Sequence, residues 1–157
     1  MSKWNYILAM DKKRFAKIRA YLGKTQQQIA YLMGTSTKAI ESFEQGWRNI
    51  SPHIERQIYF LLSQKTIMEG KRSADCWEVR QCPEDKRQKC PAWEFSCGQL
   101  CWFINGTICN GETQDNWQKK MKICTQCKRR VWKNKRTMTC VWRYIRYSDR
   151  FLIHVFC

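Results

Sequence analysis

Between residues 11 and 62 the apolar side chains recur every three or four positions, the spacing of one helix face and not the alternation of a strand. In "DKKRFAKIRAYLG" (11–23), Phe15, Ile18 and Leu22 share a face and Gly23 supplies a stop. "TQQQIAYLMG" (25–34) opens on Thr25 with Gln28 three residues later, the pattern of a capping box. Ile29 and Met33 fall on its inner face, Ala30 is small enough for close helix contact, and Gly34 ends it. A third segment starts at Ser36, turns Ile40 and Phe43 inward and stops at Gly46. The fourth starts at Ser51-Pro52, where proline suits the first helical position, and carries Ile54, Ile58 and Leu61 or Leu62 as its stripe. Short helices joined by a glycine-containing turn have a helix-turn-helix outline.

Beyond residue 75 the helical period fades and cysteine takes over, so an irregular α+β arrangement is expected there. The expected organisation is an all-α helix-turn-helix domain over 1–68, a short polar linker "EGKRSAD" over 69–75, a small cysteine-rich domain over 76–127 and a basic, aromatic tail over 128–157. In the tail, "VWRYIRY" and "RFLIHVF" about Ser148-Asp149 predict a β-hairpin. Arginine beside tryptophan and tyrosine there can hold phosphates and stack on bases, lie on anionic lipid, or pair with a second subunit. Cys140 and Cys157 are expected to be free thiols.

Charge changes the picture from fold to partner. The 157 residues hold 29 Lys+Arg against 13 Asp+Glu, a net +16, which calls for an anionic partner, nucleic acid before membrane. The excess sits at the two ends. The stretch 71–127 is close to neutral, so its cysteines are not there mainly to bind phosphate. No signal-peptide pattern is visible, and no apolar run reaches the roughly 18 residues of a membrane span. The expected location is cytoplasmic, which leaves the sequon "NGT" (105–107) a chance match. No catalytic triad, carboxylate pair or phosphate loop stands out, so no enzyme is expected.

"TQQQIAYLMGTSTKAIESFEQGWRNISP" resembles the lambda-repressor/Cro (Xre-like) family of bacterial and phage regulators, over residues 11–64. The resemblance implies double-stranded DNA as partner, a homodimer, and a recognition helix in the major groove. It places Gln26 on a phosphate. Ser36, Thr37, Lys38, Glu41 and Ser42 then stand on or beside the outward face of the recognition helix, and Trp47, Arg48 and Asn49 at the backbone. Lys38 can donate to guanine and Glu41 can accept from cytosine. Each has a plainer alternative: Gln26 an ordinary polar residue, Glu41 a partner for Lys38, Trp47 a cap over the core.

A DNA-binding chain works in a reducing compartment, where clustered cysteines bind metal or sense redox state more often than they form disulfides. Of 10 cysteines, eight lie between Cys76 and Cys127. Only Cys124-x2-Cys127 has the tight spacing that brings two sulfurs to one metal from one turn. The two histidines, His53 and His154, lie outside the cluster, so ligation would be thiolate throughout, which suits Zn²⁺ or an iron–sulfur cluster. Cys82-Pro83 and Cys90-Pro91 favour the cluster, since proline after a ligand recurs in ferredoxin-type motifs. Trp77, Trp93, Trp102 and Phe103 would be its dry shell or simply the core of a small domain.

"CWEVRQC…KCPAW…CWF…GTIC…KMKICTQC" is similar to the bacterial two-CW domain, named for its two Cys-Trp dipeptides, over residues 76–127. The similarity implies Cys76, Cys82, Cys90, Cys101, Cys109, Cys124 and Cys127 as the metal-site cysteines and leaves Cys97 out. The expectation is a transcriptional regulator that binds DNA and senses redox or iron status through an iron–sulfur cluster, of the 4Fe-4S type. The alternative is a DNA-binding or scaffold protein whose small domain is stapled by structural zinc.

Overall fold

Four side chains open the first four helices, each by accepting a backbone N–H that would otherwise lack a partner. The computed structural model describes residues 10–70, 74–109 and 111–127. Asp11 caps α1 (Lys12–Tyr21) from Arg14 N, and Thr25 and Gln28 close both bonds of a capping box on α2 (Gln26–Leu32). Ser36 caps α3 (Thr37–Gln45) and Ser51 caps α4 (Pro52–Met68). Gly46 ends α3 in the left-handed region at φ 81°, and a side chain there would also collide with Lys12, whose Nζ donates to Gln45 O.

Phe15, Ile29, Ile40 and Ile58 are fully buried, so α1, α2 and α3 pack around a shared centre against α4. One charged bond set locks this group. Arg19 on α1 binds Glu44 on α3 with both nitrogens, Nε to Oε1 at 2.5 Å and Nη2 to Oε2 at 2.9 Å, and Gln26 at the start of α2 donates to the same Oε2 at 2.8 Å. Bidentate, charge-assisted pairs of this kind fix geometry as well as adding energy.

Helix α4 differs from the single stripe its sequence predicts. Ile54, Ile58 and Leu62 are buried as expected, Leu61 only half so, and Glu55, Tyr59 and Ser63 are buried too. The reason is a second packing partner. The Tyr59 ring meets Trp102 edge-on at 6.2 Å, Phe60 stacks on Phe103 at 4.9 Å, and Arg56 lies over Phe103 and Trp117 while donating to Phe103 O at 3.1 Å. A single hydrophobic cluster therefore runs from Met10 to Met121, and the two parts meet side by side through α4 and not only through the linker.

The second part is built from short pieces: α5 (Cys76–Arg80), α6 (Glu84–Gln88), α7 (Pro91–Glu94), a 3₁₀ turn (Gly98–Leu100), α8 (Cys101–Ile104), a two-stranded antiparallel sheet, and α9 (Trp117–Gln126). In the sheet β1 (Ile108–Cys109) pairs with β2 (Glu112–Thr113), Ile108 opposite Thr113. The protein is thus mostly helical with a small α+β part. No helix among the described residues is long and apolar enough to cross a membrane. The tail hairpin with Cys140 and Cys157, residues 1–9 and positions 71–73 of the linker lie outside the described residues.

Glu55 sits where the two parts meet. Burial pushes its carboxyl above the ordinary 4.5, against the opposing pull of the Trp117 indole and the Arg14 guanidinium. An acid raised in the folded state contributes its stability below the unfolded pKa and loses it as pH rises. Glu55→Gln, which keeps the neutral form, should raise the urea midpoint at pH 7, and its advantage over the parent should shrink as pH is lowered towards 4.5. A Gln variant that is less stable at pH 7 contradicts this.

Candidate functional site

A cavity of about 430 Å³ lies within the cysteine-rich part. Cys76 reaches it from the first residue of α5, Cys82 from the turn after it, and Cys90 from the residue before α7. Cys101 enters from the first residue of α8, Cys109 from β1, and Cys124 and Cys127 from the end of α9. All seven cysteines of the two-CW resemblance therefore line one space, and Cys97 lies outside it.

The two Cys-Pro dipeptides have a local cause. Pro83 caps α6 and Pro91 is the first residue of α7, so each holds its cysteine just ahead of a helix start. The αL residue Gln81, at φ 48°, turns the chain from α5 towards Cys82. Trp77 and Trp93, edge to face at 4.9 Å, form one wall with Trp102, while Phe103 turns away to Phe60.

Polar groups face the sulfurs. Asn105 Nδ2 donates to Cys90 Sγ at 3.3 Å while its Oδ1 accepts Ala92 N at 2.8 Å, and Arg80 Nη1 donates to Cys127 Sγ at 3.5 Å. Lys120 also lines the cavity; it is 1% exposed, and its ammonium donates to Ile108 O. Burial pushes the Cys124 thiol up to about 12, with Lys120 pulling down and Cys101, Cys109 and Cys127 pushing up. Burial raises Cys109 as well, against Lys120 and Arg80. These are thiols that stay protonated near neutrality unless a cation displaces the proton.

Among the described residues no three His, Cys, Asp or Glu side chains converge closely enough to hold a metal ion. The thiols stand around the wall. Soft sulfur donors, aromatic walls and a buried ammonium fit an all-thiolate centre. A lone Zn²⁺ would need four sulfurs drawn to about 2.3 Å from one point, whereas a polynuclear centre meets donors set further apart. His53 is exposed and takes no part.

The residues expected to meet DNA divide in two. Lys38 and Glu41 on α3, and Trp47, Arg48 and Asn49 after it, are open to solvent; Trp47 is 82% exposed and caps nothing. Thr37 is half-buried. Gln26 is already held by Glu44, Ser36 caps α3 through Ala39 N, and the Ser42 hydroxyl donates to Lys38 O at 2.8 Å. Sequence reasoning missed Glu44, Arg80, Asn105 and Lys120. For Lys120 a signal was present, since it precedes Cys124 by four residues and so shares its helix face.

Comparison of the chain with protein-family models, curated proteins and solved structures finds no match.

Trp77, one of the wall residues, is closely approached from behind by a glycine. A Cβ on Gly98 would stand 2.5 Å from Asp75 Oδ1 and 2.6 Å from the Trp77 ring. Gly98→Ala should cost about 1–3 kcal/mol in urea unfolding, the usual penalty of overpacking. It should also shift tryptophan fluorescence, because Trp77 cannot keep its contact with Trp93. A fully neutral substitution would mean that the turn at 98–100 does not press on Trp77.

Proposed function

We propose that this protein is a sequence-specific DNA-binding regulator, acting as a homodimer, whose cysteine-walled cavity holds an iron–sulfur cluster and reports redox or iron status. The observation that carries the proposal is the double use of α4, which packs against α1 on one side and meets Trp102 and Trp117 on the other, within one buried cluster. A change in the cavity wall therefore has a packed route to α3, through α4 and then α1.

The DNA-reading half rests on the likeness of residues 11–64 to lambda-repressor/Cro regulators and on the exposure of Lys38 and Glu41 on α3. Trp47, Arg48 and Asn49 extend that exposed surface and are suited to the phosphate backbone. Glu44 holds Gln26 and Arg19 together, so the start of α2 and the length of α3 move as one body. Gln26 keeps a second amide hydrogen for a phosphate.

In the cavity the chain supplies thiols, an apolar wall and a buried cation; a bound cluster supplies electron transfer and sensitivity to oxidation. Cys101 is followed directly by Trp102, and Cys124 lies on α9 with Trp117. Repositioning either sulfur shifts a ring that packs at α4. Two copies of α3 must match two half-sites one helical turn apart, so a small rotation of each α4 suffices to alter affinity.

The test of the DNA-reading half starts from a duplex selected from a random pool. Lys38→Ala should weaken binding and relax preference at one base position, a loss of about 1–3 kcal/mol. Arg48→Ala should weaken binding to all duplexes alike and lower the salt dependence. Selection that yields no preferred sequence, or variants that bind as the parent does, would overturn the proposal.

A further inference from the structure

One turn at the end of α9 carries two of the cavity's thiols. Cys124 lies in the last turn, and Cys127 is the residue on which the helix ends, with φ −60° and its N–H donating to Cys124 O at 3.3 Å. Residues three apart on a helix lie on one face, with Cα atoms about 5 Å from each other. A disulfide spans Cα separations of roughly 4.4–6.8 Å, so this pair can be joined without unwinding α9. Both residues are half-buried and both open onto the cavity, which gives a small oxidant a way in. Among the described cysteines no other two combine a spacing of one turn with a shared cavity; Cys97 and Cys101 come next in spacing, and Cys97 lies outside it. Arg80 Nη1 donates to Cys127 Sγ at 3.5 Å and so places a cation beside that sulfur. Reactive cysteines sit in half-exposed, electropositive settings of this kind.

We propose that Cys124 and Cys127 are a site of reversible oxidation, closed into an intramolecular disulfide by hydrogen peroxide, with Cys127 as the sulfur that reacts first and Cys124 as the one that resolves it. The Cys127 thiolate attacks one peroxide oxygen, the O–O bond breaks, and hydroxide leaves, giving a sulfenic acid. The Cys124 sulfur then attacks Cys127 Sγ, gives up its proton, and the S–S bond forms as the sulfenic hydroxyl departs as water. Two electrons pass from the sulfurs to the peroxide, and a dithiol reductant returns them. The bond withdraws both sulfurs from any metal in the cavity. Its value as a signal rests on the functional reading above; its formation does not.

The test uses the full chain, stripped of metal by a chelator and reduced, then exposed to hydrogen peroxide and alkylated before digestion with trypsin. Cleavage after Lys122 and Lys128 leaves both sulfurs in one peptide, 123–128. That peptide should lack two hydrogens and carry no alkyl group, and dithiothreitol should restore both thiols. In Cys124→Ser a dimedone-type probe should label Cys127 as sulfenic acid, and in Cys127→Ser the Cys124 thiol should stay reduced through the same exposure. Should a variant fail to fold by circular dichroism, the same probe added to the parent chain during oxidation decides in its place. Early label at Cys127 supports the order of reaction, and early label at Cys124 overturns it. A peptide 123–128 that keeps both thiols open to alkylation, with disulfides formed elsewhere or not at all, would overturn the proposal. Iron and zinc counted on the untreated chain, purified without oxygen, test the functional reading separately. Absence of both would remove that reading and leave the disulfide result standing.

Discussion

Trp102 is 2% exposed, wedged between Tyr59 of α4 and Trp117 of α9, and most of what distinguishes this molecule follows from that position. An indole buries on the order of 150–250 Å² and so dominates the energetics of the seam it fills. Its neighbour Cys101 is thereby fixed at the cavity, and α9, which carries Cys124 and Lys120, is fixed against the same helix. Arg56 adds a second tie, stacking on Phe103 and Trp117 with a backbone carbonyl as its hydrogen-bond partner. Remove the wedge and the cysteine-rich part would have little else to hold it, because its own helices are only four or five residues long apart from α9. Helices that short do not stand without tertiary packing.

Local chemistry is legible in the residues themselves. Thr25 with Gln28, Ser36, Ser51-Pro52, Gly34 and Gly46 act through bonds to residues a few positions away, and helices start and stop there. The other face of α4 is not legible in that way. Glu55 and Tyr59 look like a solvated side of an amphipathic helix, and they are buried where Trp102 and Trp117 arrive from far along the chain, with Arg56 half-covered beside them. The Cys-Pro dipeptides illustrate a different limit. Their prolines start helices, which is a sufficient local reason for them whether or not a cluster is bound. Trp47 shows a third case, since the plainer alternative of a cap over the core is settled only by its exposure in the fold.

The two halves handle charge in complementary ways. In the first, Arg19 and Glu44 neutralise each other inside the bundle, leaving Lys38 and Arg48 free to set the field of the outer surface. In the second, the one Lys or Arg buried among the described residues, Lys120, faces Cys109 and Cys124, whose thiols burial pushes up. A cationic centre arriving in that space would replace protons with metal and convert neutral thiols into a charged assembly. Such a change acts on α9 and α8, whose aromatic residues are the contacts with α4. That is the physical route by which the proposed sensor would reach the proposed reading head, and it needs no hinge in the linker.

The most direct measurement is the affinity of one selected duplex for the anaerobically purified chain before and after its metal is stripped by a chelator. Coupling between two sites is typically worth about 1–3 kcal/mol, so the dissociation constant should change by roughly 5–150-fold, in step with the metal content. Equal affinity for the loaded and stripped protein would contradict the account and leave the cavity a structural element only.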